Sequence, residues 1–452
     1  MSYAAALDRL HARAAELHIV PGQPRRKFRL EEMRTLVAAL GHPEQRFRSV
    51  LIAGTNGKGS TSATLSSILL AAGYRSGLYT SPHLDRVNER IRIAGTPISD
   101  ADFARHYFRV DDCAGQLVSE GQLSGYPSFF ETLTALTFSA FAEAEVDLAV
   151  LEVGMGGRLD ATNVVEPLAS VITDVSLDHM EWLGNTVAEI AREKAGILRP
   201  NGTMVTLPQH PEANQAIGEI AVELNVRGIN AAEYVPAIRA DGHLDSSALR
   251  NRYPLTVLGE AIEVDSPLAG AHQRRNIALA IAAAVELAEH HGFSITPAQI
   301  EAGIRQTRWP GRLERIVIAG RAEILLDVAH NPAGAWALRA ALSSLEDEQP
   351  RRKVLVFGCM QDKAYEEMAQ ILFPLFDLVV ATPVMSPRSA SAEEILAAAA
   401  KTGVRAIAAR DGHDALEKAW AKTSAADRIV IGGSVYLVGE IRPLLVPVET
   451  AP

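Results

Sequence analysis

The sequence predicts a two-domain α/β protein: a phosphate-loop domain on a mostly parallel sheet with a small β excursion, then a second, Rossmann-like α/β domain. Three observations carry this expectation. Short apolar runs of strand length alternate with longer stretches of helical periodicity, the rhythm of a parallel sheet covered on both faces. An apolar run at 47–53 passes through a glycine-rich loop directly into a helical pattern. Trp309-Pro-Gly-Arg312 interrupts the alternation, and a second series follows it.

Taken in order, residues 30–40 have helical spacing and 47–53 read as a strand. The segment Gly54-Thr-Asn-Gly-Lys-Gly-Ser-Thr61 comes next, with a helix expected to open near Ser60 and run through Ala72. Gly54, Gly57 and Gly59 allow backbone N–H groups to converge on an anion, Lys58 adds a point charge, and the helix contributes its positive end. An extra glycine between Lys58 and Ser60 separates this loop from the G-x-x-x-x-G-K-[ST] pattern. An ordinary glycine turn would not call for a lysine and a hydroxyl at these two positions. Strand-like runs at 148–153, 169–173 and 203–207 continue the alternation. From about 228 to 270, short runs with Pro and Gly predict the β excursion, and a helix at 275–290 restores the rhythm. A junction is placed near 305–312, dividing the chain into domains 1–308 and 309–452. The second series has strands near 324–326, 353–357, 378–381, 405–408 and 428–431.

Composition narrows the function. The chain is 48% hydrophobic and 22% charged, ordinary for a soluble α/β protein, and its net charge of −10 argues against a nucleic-acid surface. Cys113 and Cys359 lie far apart and are expected to be reduced packing residues of a cytoplasmic protein. The first residues lack a signal-peptide pattern, and apolar runs such as 277–285 fall well short of a bilayer span, so no membrane partner is expected.

Beyond the loop, polar residues fall at strand ends, where open α/β sheets bind ligands. Glu152 closes the apolar strand Leu148-Ala-Val-Leu-Glu152, and a carboxylate there suits Mg²⁺ held against ATP. His179 follows another strand, in Ser176-Leu-Asp-His179. Either residue in isolation is consistent with a structural role; beside the phosphate loop they favour a metal–nucleotide site.

Several motifs in fixed order carry a resemblance: Gly54 to Thr61, Tyr79-Thr-Ser-Pro-His-Leu84, Asn88-Glu-Arg-Ile91, Leu151 to Asn163, Ser176 to His179, Glu193-Lys-Ala-Gly-Ile197, Pro310-Gly-Arg312 and Asp327-Val-Ala-His-Asn-Pro332. Over nearly its whole length the chain resembles the folylpolyglutamate synthase and dihydrofolate synthase family, the folate branch of the Mur ligases. The resemblance implies a Mur-ligase-like architecture with an ATP-binding domain and a glutamate-ligase domain. It also implies ATP-dependent ligation: a folate carboxylate is phosphorylated to an acyl phosphate, and the amine of L-glutamate displaces phosphate. Dihydropteroate is implied as a second acceptor, giving dihydrofolate. A carboxylate needs this activation because oxide is a poor leaving group.

The residue roles come from the same likeness. Asn56, Gly57, Lys58, Gly59 and Ser60 are implied to hold the phosphates, and Asn276, Arg312 and Asp327 to contact the nucleotide. Ser81, Glu152, His179 and Lys194 are implied to serve two Mg²⁺ ions. Lys194 would do so as a carbamate, whose oxygens suit a hard cation, and an unmodified lysine pairing with Glu193 or phosphate is the other reading. Lys58, Lys194 and His330 are the catalytic candidates, and His330 and Ser434 line the glutamate side. Ser128, Phe129, Phe130, Glu131, Leu159, Asp160 and Ala161 are implied to meet the pterin, whose flat ring suits aromatic faces, although the two phenylalanines fit a helix core equally well. The basic run Arg25-Arg-Lys-Phe-Arg-Leu30 departs from the bifunctional members and could attract an anionic polyglutamate tail. A monomer is expected. The competing classes are a cell-wall Mur-type amino-acid ligase, disfavoured by Thr80-Ser-Pro-His-Leu84, and an idle nucleotide-binding protein, disfavoured by intact Lys58, Glu152, His179 and Lys194.

Overall fold

A computed structural model describes residues 2–13, 30–237, 249–345 and 351–446. The basic run at 25–29 lies outside them.

The first sheet contains β1 (Arg48–Ala53), β2 (Ser76–Tyr79), β3 (Ile91–Ile93), β4 (Thr96–Pro97), β5 (Leu148–Glu152), β6 (Ala169–Ile172), β7 (Thr203–Thr206) and β8 (Arg227–Asn230). Their order is β4-β3-β2-β5-β1-β6-β7-β8, parallel from β2 through β8 and antiparallel at β3 and β4. Strand β1 shows why these strands read as unbroken apolar runs. Leu51 and Ala53 pack on one face with Phe103, Leu133 and Phe138, while Val50 and Ile52 pack on the other with Leu65, Ile68 and Ile277. Both faces are covered, so no alternation with polar residues survives. From β1 the chain crosses to β2 on one side, whereas β6 leads to β7 on the other. The carboxyl ends of β5, β1 and β6 therefore border the crevice expected at such a reversal.

Two expectations are corrected. The helix after the loop spans Lys58–Ala71 and is capped by Gly57 at φ 92°, so it opens two residues before Ser60. The β excursion begins later than residue 228, because Arg227–Asn230 is the exposed edge strand β8 of the main sheet. The excursion itself is the antiparallel hairpin β9 (Asn251–Val257) and β10 (Glu260–Ser266). It packs beside the helices Ala271–His290 and Pro297–Gln306, which also cover the phosphate-loop helix.

A second sheet contains β11 (Glu314–Ile316), β12 (Glu323–Leu326), β13 (Lys353–Phe357), β14 (Leu378–Ala381), β15 (Ala406–Ala408) and β16 (Arg428–Gly432). Its order is β11-β12-β16-β13-β14-β15, with only β11 antiparallel. Leu325, Leu355, Val379 and Val430 face one layer of helices, and Ile324, Val354, Val380 and Ile429 the other. Together the two sheets give the two-domain α/β architecture expected from the sequence. Both cysteines are free, and among the described residues no helix is long and apolar enough to cross a membrane.

Candidate active site

The phosphate loop is held by its own backbone and by the strand beside it. Thr55 and Asn56 donate N–H to the carbonyl of Asp174, and Thr173 Oγ1 donates to the Asn56 carbonyl at 2.7 Å. Glycine is required at two points for space as well as conformation. At Gly54 a Cβ would lie 2.9 Å from Thr173 Cβ, and at Gly57, with its positive φ, 3.0 Å from Asn276 Cγ. Lys58 Nζ donates to the Gly54 and Thr55 carbonyls at 3.0 and 3.3 Å, which holds the ammonium at the mouth of the loop.

Glu152 ends β5 opposite Ile52 of β1, so it emerges beside the loop on the face covered by the Lys58–Ala71 helix. It is 4% exposed, and its Oε2 accepts from Ser81 N–H at 3.2 Å. Burial raises its proton affinity, opposed by Lys58, the Ser81 N–H, Arg312 and Arg90. From the second half, Asp327 Oδ2 accepts from Leu313 N–H at 3.0 Å and Oδ1 from Ala329 N–H at 2.9 Å. Burial raises the Asp327 pKa against the pull of Arg312 and His272. Arg312 feels both Asp327 and Glu152, so the strand ends of the two sheets meet electrostatically across it.

Lys194 sits on the helix Val187–Ala195, 3% exposed, and its Nζ donates to the same Gly54 carbonyl as Lys58, at 2.8 Å. Burial, reinforced by Lys58, lowers its pKa from 10.5 to about 7. Nearby, Asp178 pairs with Lys363 of the second half at 2.9 Å and lies 3.7 Å from His179 Nε2. Burial works against the Asp178 anion, but His179, Lys363 and His330 outweigh it and lower its pKa. Burial lowers both His179 and His330 to about 4, and His330 Nδ1 lies 3.0 Å from the Val328 carbonyl.

Other expected residues have visible structural employment. Ser128 and Glu131 form a capping box on the helix Phe129–Glu143. Phe129 is buried in the core under Arg90, and Phe130 lies against Tyr79 and Gly154. Asp160 accepts from the N–H groups of Gly154, Met155 and Thr162, shaping the loop that carries Leu159 and Ala161. Ser434 caps the helix Val435–Leu445 by accepting from Tyr436 N–H at 3.0 Å. Asn276 Nδ2 donates to Gln273 Oε1, and its carbonyl accepts from Thr61 Oγ1. Ser60 is buried in the first turn of its helix.

Four residues escaped the sequence reading. Trp309 covers Gly59, where a Cβ would lie 2.9 Å from the indole, and its buried Nε1 lacks a hydrogen-bond partner among the described residues. Asn331 Nδ2 donates to Asn56 Oδ1 at 3.0 Å, tying Asp327-Val-Ala-His-Asn-Pro332 to the loop. Lys363 and His272 are the others; Asn331 lay within a motif and Trp309 at the break between the two series, but neither was marked there as a site residue. Ser81, Glu152, Trp309 and Arg312 line a cleft of about 1120 Å³ that extends toward Arg86 and Arg442.

Mg²⁺ fits this donor set as an ion anchored chiefly by Glu152 and completed by phosphate and water, the usual habit of that cation. Among the described residues no group of three His, Cys, Asp or Glu converges on one point.

Residues 113–284 match the Mur ligase middle domain, and residues 311–435 match the Mur ligase glutamate ligase domain. The chain is 35% identical over 421 residues to the dihydrofolate synthase/folylpolyglutamate synthase of Bacillus subtilis, covering 92% of this chain and 94% of that one. It is also 35% identical over 423 residues to the folylpolyglutamate synthase of Lacticaseibacillus casei, covering 91% and 93%. A solved structure of Mycobacterium tuberculosis folylpolyglutamate synthase complexed with ADP and AMPPCP superposes over 100% of both chains, with a TM-score of 0.85 and 33% identity. The chain belongs to the folylpolyglutamate and dihydrofolate synthase family of the Mur ligases.

Proposed function

We propose that this member of the family joins L-glutamate to folates at the expense of ATP, and that it also converts dihydropteroate and L-glutamate to dihydrofolate. The observation that carries the reading is that Glu152 from the first half and Arg312 from the second line one cleft, with Lys58 acting electrostatically on Glu152 and Asp327 on Arg312. Lys58 of the phosphate loop would meet the transferring phosphoryl group. The second half would bring the amine, and closure would keep water from the acyl phosphate. Relatives named for one activity and for both are equally similar at 35% identity, so the second acceptor rests on the substrate test below.

Residues 1–308 act as the ATP-binding domain and 309–452 as the glutamate-ligase domain. Asn56 to Ser60, Asn276, Arg312 and Asp327 hold the nucleotide, and His330 and Ser434 face glutamate. Phe130 and the Leu159-Asp-Ala161 loop meet the pterin, with Ser128, Phe129 and Glu131 supporting them. Ser81, Glu152, His179 and a carbamylated Lys194 would hold two Mg²⁺ ions, which when bound offset phosphate charge. The pKa of about 7 supports that modification, because only the neutral amine attacks CO₂; the product is a carbamate anion and the displaced proton goes to solvent. A monomer working in the cytoplasm, where ATP and folates are at hand, completes this reading.

The test is phosphate release from ATP with glutamate plus tetrahydrofolate, dihydropteroate or a UDP-linked muramyl peptide. Turnover with the first establishes the reading, and turnover with the second establishes bifunctionality. Turnover with the muramyl peptide alone would move the chain to the cell-wall branch, and none with any would leave a nucleotide-binding protein.

A further inference from the structure

We propose that Gly439 and Leu84 form the stop that sets how closely the second half approaches the Ser81 loop, and that this contact keeps ATP consumption coupled to glutamate transfer. The coupling claim rests on the ligase reading above. Gly439 lies within the helix Val435–Leu445, where glycine costs about 1 kcal/mol relative to alanine. Its position explains the choice. A Cβ there would overlap the Leu84 carbonyl, lying 2.7 Å from Leu84 C and 3.3 Å from Leu84 Cα. The contact joins halves 355 residues apart in sequence (439 − 84).

Leu84 is built to receive this contact. Its side chain packs into the apolar cluster of the second sheet beside Val328, Leu437 and Val438. Its backbone is held from below, because the Glu89 carboxylate accepts from the N–H groups of Leu84, Asp85 and Arg86 at 2.9, 3.1 and 2.9 Å. Three residues earlier, Ser81 N–H bonds to Glu152. The loop is thus a stiff bracket with one end on the buried carboxylate and the other against the second half. One turn beyond Gly439, Arg442 grips Glu314 with three hydrogen bonds of 2.9, 3.0 and 3.1 Å, and Glu314 accepts from Gly311 N–H. The helix therefore has little freedom to slide away from a new methyl group. Relief of the overlap requires a shift of roughly 1 Å to reach ordinary carbon–oxygen separation. A misplacement of that size costs up to about a hundredfold in rate when reacting groups must be aligned, and it opens a path for water to the acyl phosphate.

The experiment uses the full chain carrying Gly439→Ala and, separately, Leu84→Ala, which keeps the backbone but removes the apolar plug. Phosphate release and labelled-glutamate incorporation are read in one reaction, with ADP affinity and hydrogen exchange of the 81–90 peptide measured alongside. For Gly439→Ala the expected result is a fall in kcat of about tenfold or more. The phosphate-to-product ratio should rise at least twofold, ADP affinity should stay within twofold, and exchange at 81–90 should be faster. Leu84→Ala should raise the same ratio by less and stands in if Gly439→Ala does not fold. A ratio that stays at one in a folded variant overturns the coupling role, and unchanged exchange at 81–90 in both variants overturns the contact itself. Exchange needs no substrate, so failure of the ligase reading would appear separately, as a wild-type protein that glutamylates no folate.

Discussion

The carboxyl edges of the two sheets face the same cleft but are furnished in opposite ways. At the first, two ammonium groups, Lys58 and Lys194, converge on the carbonyl of Gly54, with the buried Glu152 carboxylate on the neighbouring strand. At the second, Asp327 is satisfied by two backbone N–H groups and Ser434 by a helix cap. The first edge concentrates charge that a phosphate can take up, whereas the second uses its polar groups to fix the chain. Removing the charged groups of the first edge should therefore cost orders of magnitude in rate, whereas removing the Ser434 cap from the second should register chiefly in stability.

The sharpest way to break this contrast is Lys58→Ala, which removes the cation proposed to face the transferring phosphoryl group. A loss of roughly 10²–10³ in kcat with unchanged circular dichroism is expected. A well-folded variant within tenfold of wild type would contradict the charged role of that edge. Lys194→Ala comes next, with a loss of up to about a hundredfold and partial rescue by short carboxylic acids that restore an oxygen ligand. Its pH signature sharpens the comparison. An unmodified Lys194 titrates near 7 in the folded chain against 10.5 unfolded, so the unfolded chain binds the additional proton between those values. Wild-type stability should then climb relative to Lys194→Met as pH rises through that window, and melting curves with CO₂ removed would reveal it. A flat difference would show that the free amine is not what occupies the site.

Glu152→Gln keeps the side-chain shape but removes the anion, so about tenfold more Mg²⁺ should be needed for half-maximal rate. Identical magnesium titrations would reduce Glu152 to a support for Ser81. The smallest effect belongs to the second edge. Ser434→Ala removes a helix cap worth about 1 kcal/mol, lowering the melting temperature by a few degrees. If it instead raises KM for glutamate without destabilising the protein, the second edge also recognises substrate.

The same asymmetry decides what could be read from sequence. The path from β1 through the loop into its helix was legible because two-sided burial leaves an unbroken apolar run and tight packing against Thr173, Asn276 and Trp309 leaves glycines. Strand β2 was not. It has four residues, and one is Gly77, placed there because a Cβ would lie 2.9 Å from the Phe141 ring. Strand β8, Arg-Gly-Ile-Asn, is an exposed edge without an apolar signature. Within the site, Lys58 and Glu152 stood out by their place in a motif or at a strand end. Lys363 had no such marker, since its meaning comes from Asp178, 185 residues away. Trp309 stood out in sequence as a break between series, and only the fold places its ring over Gly59.

Strand register gives the active site a ruler. Glu152 lies directly opposite Ile52, two residues before the loop begins, so the backbone that carries the carboxylate and the strand that leads into the loop are separated by the inter-strand repeat of a parallel sheet, about 4.8 Å. No side chain sets that distance, and no side-chain substitution can change it. The ruler can be misread in only one way. Removing a single residue from Leu148–Glu152 would turn the carboxylate to the opposite face of the sheet, among Leu133 and Phe138 and away from the phosphate loop.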